Sequence, residues 1–144
     1  MITLLQRVTE ARVEVSSEII AAIKSGILVL VGVQADDDES TARHYIERLL
    51  NYRVFADPEG KMNLSLKDID GGLLLVPQFT LAANTKKGRR PSFTSAANPQ
   101  HGKQIFELMV DSARAVYGQV ECGRFGADMQ LHLVNDGPVT FILD

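Results

Sequence analysis

The stretch Gly26–Gln34, GILVLVGVQ, constrains the fold more than any other part of the chain. It is a short aliphatic run with no alternating polar positions, so it reads as a strand buried on both faces. GLLLVPQFTLA, Gly72–Ala82, begins in the same way before Pro77 interrupts it. Two such strands require a sheet that is covered on both sides, by helices or by its own curvature.

The rest of the chain supplies that cover. MITLLQRV (Met1–Val8) and ARVEVSSEI (Ala11–Ile19) alternate as two strands. From Asp38 to Asn51, Ala42, Tyr45, Ile46, Leu49 and Leu50 fall on one helical face. From Pro99 to Tyr117, Ile105, Phe106, Met109, Ala113 and Val116 do the same, with Gly118 placed to cap the end. DPEG (Asp57–Gly60) and DIDGG (Asp68–Gly72) read as turns. MQLHLVN alternates into a closing hairpin. The expected fold is α+β: one compact domain over residues 1–144, with a curved, barrel-like, mostly antiparallel sheet and two helices.

The expected hairpin has an odd turn. In NDGPVTFILD, Asn135–Asp144, Asp136-Gly137 is a strong hairpin dipeptide. Pro138 follows where the second strand needs an N–H to pair. A rigid turn is one reading; a cis Gly-Pro bond that presents backbone atoms is the other.

Composition narrows the function. A net charge of −3 argues against binding nucleic acid, DNA included, by bulk charge, so any RNA contact needs a local basic patch. No apolar run has membrane-spanning length, and the N-terminus alternates where a signal peptide would be continuous. The lone Cys122 rules out an internal disulfide framework and fits a reducing cytoplasm as an inert buried thiol.

Common catalytic motifs are missing: there is no G-x-S-x-G, H-E-x-x-H, phosphate loop or C-x-x-C. No cofactor motif or metal ligand set is visible. His44, His101 and His132 are scattered and read as structural or surface residues. The acidic run Asp36–Glu39 reads as dipole compensation at a helix start. Two stretches stay open. PQFTLAANTKKGRRPSF (Pro77–Phe93) carries Lys86, Lys87, Arg89 and Arg90, which make either a solvated loop or a phosphate patch. In GRFGADM (Gly123–Met129), Phe125 is either a packed loop anchor or a surface on which a base stacks.

Taken together, QRV (Gln6–Val8), QFTLAA (Gln78–Ala83), RRPSF (Arg89–Phe93), GRFGADM and NDGPVTF resemble the D-aminoacyl-tRNA deacylases, in order and across nearly the whole chain. The resemblance implies a cytoplasmic, homodimeric hydrolase that needs no cofactor and acts at the 3′ end of aminoacyl-tRNA. It implies that Gly137-Pro138 is cis and projects into the partner's active site, with Arg7 locking it in place. Gln78, Phe79 and Thr80 would line the catalytic pocket, and Phe125 would receive the terminal adenine. Pro77 and Met129 would also touch substrate, and the four basic residues would hold tRNA phosphates. Thr80 is then a nucleophile, a water-orienting hydroxyl, or a bystander whose backbone N–H matters while the RNA's 2′-hydroxyl assists. Exclusion of L side chains by clash implies that achiral glycine leaks through. Pro77 departs from the family's usual Ser; a related animal branch has Pro in PQATL and acts on L-alanine, but Phe79 follows the main form. A tRNA-binding module without turnover is the non-enzymatic alternative.

Overall fold

A computed structural model describes residues 1–144. The N-terminal segment is one strand, β1 (Ile2–Val15), where two were expected. One edge of β1 is shared: its first half pairs antiparallel with β3 (Gly26–Gly32) and its second half with β2 (Glu18–Ile23). At Thr9 and Glu10 β1 changes partner on this edge without ending, and its register with β8, the C-terminal strand Gln130–Leu143 on its other edge, shifts between Val8 and Glu10. The β1–β2 turn is Ser16-Ser17, with φ of 50° and 66°. Two positive φ values make a hairpin turn of the kind usually built from Asn-Gly, so Ser-Ser gave no turn signal.

Strand β3 is buried on both faces, as expected. Ile27, Val29 and Val31 join a core of 24 buried residues, while Leu28 joins a second core of seven. Strand β6 (Gly72–Pro77) lies parallel to β3, and Leu73 and Leu75 face the first core while Leu74 and Val76 face the second. Strand β7 (Val120–Cys122) extends the sheet in parallel beyond β6. The pairings β1–β2 and β1–β3 are antiparallel, but β3–β6–β7 is parallel, so the sheet is mixed. Two strand–helix–strand crossovers explain this, since parallel neighbours need a long return path.

Those crossovers carry the two expected helices, α1 (Glu39–Asn51) and α3 (Pro99–Val116). Asp38 caps α1 by accepting Thr41 N–H at 2.8 Å, and Asn98 caps α3 by accepting His101 N–H at 2.9 Å. The N-cap bond, which favours the ionised form, holds Asp38 below the usual carboxylate pKa range. α3 ends at a Tyr117 cap, one residue before the expected Gly118. Both helices cover the larger core with Leu49, Leu50 and Met109 fully buried; truncating such a leucine to alanine costs about 2–5 kcal/mol. No helix is long and apolar enough to cross a membrane.

Three smaller features were not expected. A ribbon of β4 (Phe55–Ala56) and β5 (Met62–Leu64) flanks the DPEG turn. DIDGG belongs partly to a one-turn helix, α2 (Leu66–Ile69), capped reciprocally by Ser65 and Asp68. Phe79–Ala82 forms a single 3-10 turn at the end of β6.

The closing hairpin does not exist. Strand β8 (Gln130–Leu143) runs along the free edge of β1, from Glu14↔Gln130 to Thr3↔Leu143. Val8 pairs with Asn135 and Gln6 with Thr140, so four residues, Asp136 to Val139, stand opposite Arg7 alone. Both flanks keep their alternation and the same neighbour, and the Asp-Gly-Pro segment is extruded as a bulge.

Candidate active site

A cavity of about 450 Å³ opens where β3 and β6 end, between the 3-10 turn, the start of α3 and the 125–129 loop. Val31, Val33, Val76 and Pro77 form its apolar floor, Gln78 and Phe79 one wall, and Phe125 and Met129 the other. Glycines make these approaches possible. A Cβ on Gly32 would lie 2.9 Å from Leu81 Cβ and 3.2 Å from Gln78 O, so the 3-10 turn sits directly on β3. A Cβ on Gly123 would lie 2.9 Å from Met129 Sδ and 3.4 Å from Pro77 Cδ. Gly102 on α3 leaves room for the Phe125 ring, 3.3 Å from where its Cβ would be. Gly32 and Gly102 were not among the expected site residues; their only signal in the sequence is an isolated glycine inside a strand and a helix, which marks close approach.

Pro77 ends β6, and Gln78 N–H still reaches Val31 O at 2.7 Å. The chain then tightens, with Leu81 N–H bonding Gln78 O and Ala83 N–H bonding Thr80 O, both at 3.2 Å. The Phe79 and Thr80 N–H groups come first in this turn, where a helix has no preceding carbonyl to offer them. Gln78 Nε2 donates to Thr80 Oγ1 at 2.5 Å, which orients the hydroxyl. None of the histidines lines the cavity. His101 sits near Asp37 O at 2.8 Å, and His132 faces Glu14 at 3.4 Å and lines a separate groove of β1, β2 and β8. Asp37, expected to compensate a helix dipole, is instead buried and accepts from the Met1 amine at 2.7 Å. No group of three or more His, Cys, Asp or Glu side chains is placed to hold a metal ion. Cys122 is half-buried, where full burial was expected, with Arg114 Nη2 3.8 Å from its sulfur.

Phe125 packs against the larger core, as a loop anchor does, and also lines the cavity. Pro77, Gln78, Phe79, Phe125 and Met129 are thus gathered at one cavity, with Thr80 exposed at its edge.

Arg7, Gly137 and Pro138 are gathered elsewhere. The Gly137-Pro138 peptide is cis, and Gly137 has φ +141°. Arg7, with only 14% of its side chain exposed, donates from Nε to Asp136 O at 2.9 Å and from Nη1 to Val54 O at 2.7 Å. Asn135 Oδ1 accepts Val139 N–H at 2.7 Å while its amide reaches Thr140 Oγ1 at 2.8 Å. The neck of the bulge is therefore tied down, yet Asp136, Gly137 and Pro138 are all exposed, and none lines the cavity of its own chain.

Lys86, Lys87, Arg89 and Arg90 form a third group. They occupy an exposed loop closed by Asn84 and Ser92, which exchange backbone bonds of 2.7 and 3.0 Å. None of the four joins an ion pair.

Comparison with known proteins is consistent across sequence and structure. Residues 4–144 match the family model described as D-Tyr-tRNA(Tyr) deacylase. The D-aminoacyl-tRNA deacylase of Pseudomonas aeruginosa is 63% identical over 144 residues, covering 100% of this chain and 99% of that one. A solved structure of the c-Myc DNA Unwinding Element Binding Protein superposes with a TM-score of 0.95 at 38% identity, covering 100% of this chain and 98% of that one. A probable eukaryotic D-amino acid tRNA deacylase shares the fold, with a TM-score of 0.85 at 20% identity over 99% of this chain and 97% of its own.

Proposed function

The chain belongs to the D-Tyr-tRNA(Tyr) deacylase family, and we propose that it hydrolyses the ester joining a D-amino acid to the terminal ribose of tRNA. The observation that carries this reading is the cavity itself: a backbone-rich turn at Gln78–Thr80 faces an aromatic wall at Phe125, with no histidine between them. An aminoacyl ester is already activated. Its hydrolysis needs positioning and stabilisation of the developing oxyanion more than a strong nucleophile. The Phe79 and Thr80 N–H groups supply that stabilisation, Phe125 and Met129 hold the terminal adenosine, and Pro77 packs beside them. The free ribose hydroxyl of the substrate orients the attacking water. Thr80 Oγ1, held by Gln78, has no base to activate it as a nucleophile.

Chirality is read by the partner chain. In a two-fold dimer each Asp136–Pro138 bulge enters the other subunit's cavity, where its carbonyls hold the substrate amino group and leave no room for an L side chain. Support comes from the tied yet exposed bulge and from Val134 and Ile142, which stay 50% and 63% exposed along the outer strand β8. Glycine offers no side chain to reject, so Gly-tRNA is a substrate too. Pro77 at the cavity floor favours a second reading, an L-alanyl-tRNA proofreader. Single-turnover hydrolysis of D-Tyr-, L-Tyr-, Gly- and L-Ala-tRNA separates the two. The proposal requires rapid loss of D-Tyr- and Gly-tRNA with L-Tyr- and L-Ala-tRNA spared. Loss of L-Ala-tRNA alone selects the second reading, and no hydrolysis at all leaves a binding module.

A further inference from the structure

Phe79 and Phe93 form a tilted aromatic pair, with ring centroids 5.2 Å apart and 51° between their planes. They remain 55% and 41% exposed, and neither packs into a core. The pair joins two segments. Phe79 belongs to the turn at the cavity mouth, and Phe93 is where the chain leaves the basic loop. Phe93 sits at a fixed neck: Asn84 and Ser92 are bonded across the loop, and Ser95 Oγ donates to Ala82 O at 2.5 Å.

We propose that Phe79 and Phe93 form a stacking platform for an unpaired nucleobase of the substrate RNA, on the strand between the esterified terminal nucleoside and the phosphates held by Lys86, Lys87, Arg89 and Arg90. This rests on the deacylase reading and extends it to the nucleotides before the terminal one. Charge selects the occupant. An exposed aromatic pair alone would suit many partners, but four cations without ion-pair partners beside it call for a polyanion. A polyanion with flat apolar faces is single-stranded nucleic acid, and aromatic platforms beside basic tracks are how such strands are held. Every base has a π-face, so the platform tolerates any base and requires only that one be present.

The chain contains no tryptophan, so Phe93→Trp introduces a single indole reporter. The probes are an RNA hairpin with a tRNA-like single-stranded 3′ end and versions with one abasic site at each unpaired position. Indole emission should be quenched by the intact RNA and lose that quenching for one abasic position. Phe93→Ala should weaken binding of the intact RNA by about 5- to 150-fold, the range of base–aromatic stacking. It should add nothing when the abasic site lies at that same position. Equal weakening of all the RNAs by Phe93→Ala overturns the proposal, as does an indole that ignores RNA. An indole that responds only to protein concentration also overturns it, because a second copy then covers the pair. D-Tyr-tRNA hydrolysis by the wild type, run in parallel, separates the failures. Turnover without stacking sinks the platform alone, and stacking without turnover sinks the deacylase reading while the platform stands.

Discussion

Two strands of this molecule are interrupted at a proline, and the interruptions do opposite things. After Pro77 the chain folds inward, and the 3-10 turn lies against Gly32 as a cavity wall. Around Pro138 it is pushed outward, with Asp136 to Val139 opposite Arg7 alone. Both segments are tied to their own chain, the first through Val31 O and the second through Arg7 and Asn135. Only the first lines the cavity at the ends of β3 and β6. In the proposed dimer the tied, exposed segment of one copy meets the cavity of the other.

The largest effect is expected at the outward segment. Gly137 sits at φ +141°, and a Cβ there would lie 2.6 Å from Val139 Cγ2, so Gly137→Ala must displace the tip. A shift of about 1 Å at a positioning element can cost 100-fold. We expect at least that loss in kcat/KM for D-Tyr-tRNA, with circular dichroism and melting close to wild type. Near-normal turnover would remove the outward segment from the account.

Arg7→Ala comes next. It leaves Asp136 O and Val54 O without a charged donor, and hydrogen bonds to charged groups contribute about 1.5–3 kcal/mol each. Turnover should fall roughly tenfold to a hundredfold, with some loss of stability. Arg7→Lys should not restore it, because a lysine cannot span both carbonyls as the guanidinium does.

Neutralising Lys86, Lys87, Arg89 and Arg90 together tests a region belonging to neither segment. Affinity should fall about tenfold near physiological salt, alike for D-Tyr- and Gly-tRNA, and the log–log salt slope should flatten by about 3 to 4. An unchanged slope would make the loop solvated surface.

The inward segment predicts a smaller change from Thr80→Ala, since the backbone N–H survives: a loss within roughly tenfold. A 2′-deoxy terminal adenosine should instead slow hydrolysis strongly while binding persists. A covalent aminoacyl adduct on Thr80 would contradict this assignment.

The smallest effect lies outside both segments. The Asp38 and Asp68 carboxyls are held below their ordinary value, 3.8, by bonds from the Thr41 and Ser65 backbones. A depressed folded-state pKa adds stability that is present above the unfolded value and lost as pH falls through the folded one. Asp38→Asn, which keeps a capping oxygen, should therefore flatten the fall in melting temperature below about pH 4. Activity at neutral pH should not change.

How much of this was legible from the sequence depends on range. Strand β3 and both long helices were legible, because their burial is written in local periodicity. The split pairing of β1 was not, since partner exchange leaves no mark on the strand itself. The parallel β3–β6–β7 order was recoverable only from the strand–helix–strand spacing, and Ser16-Ser17 carried no turn signature. The terminal bulge looks like a hairpin in the sequence because Asp136-Gly137 is a strong local signal, and only the long-range ladder to β1 overrides it. At the cavity, the proline break and the loop aromatic were visible in the sequence. Gly32 and Gly102, which let the walls close, were visible only as isolated glycines.

The most direct test of a site completed between copies is D-Tyr-tRNA hydrolysis per subunit, measured with sedimentation across a dilution series. Specific activity should fall in step with the dimer fraction. A sedimenting monomer with full activity would contradict it.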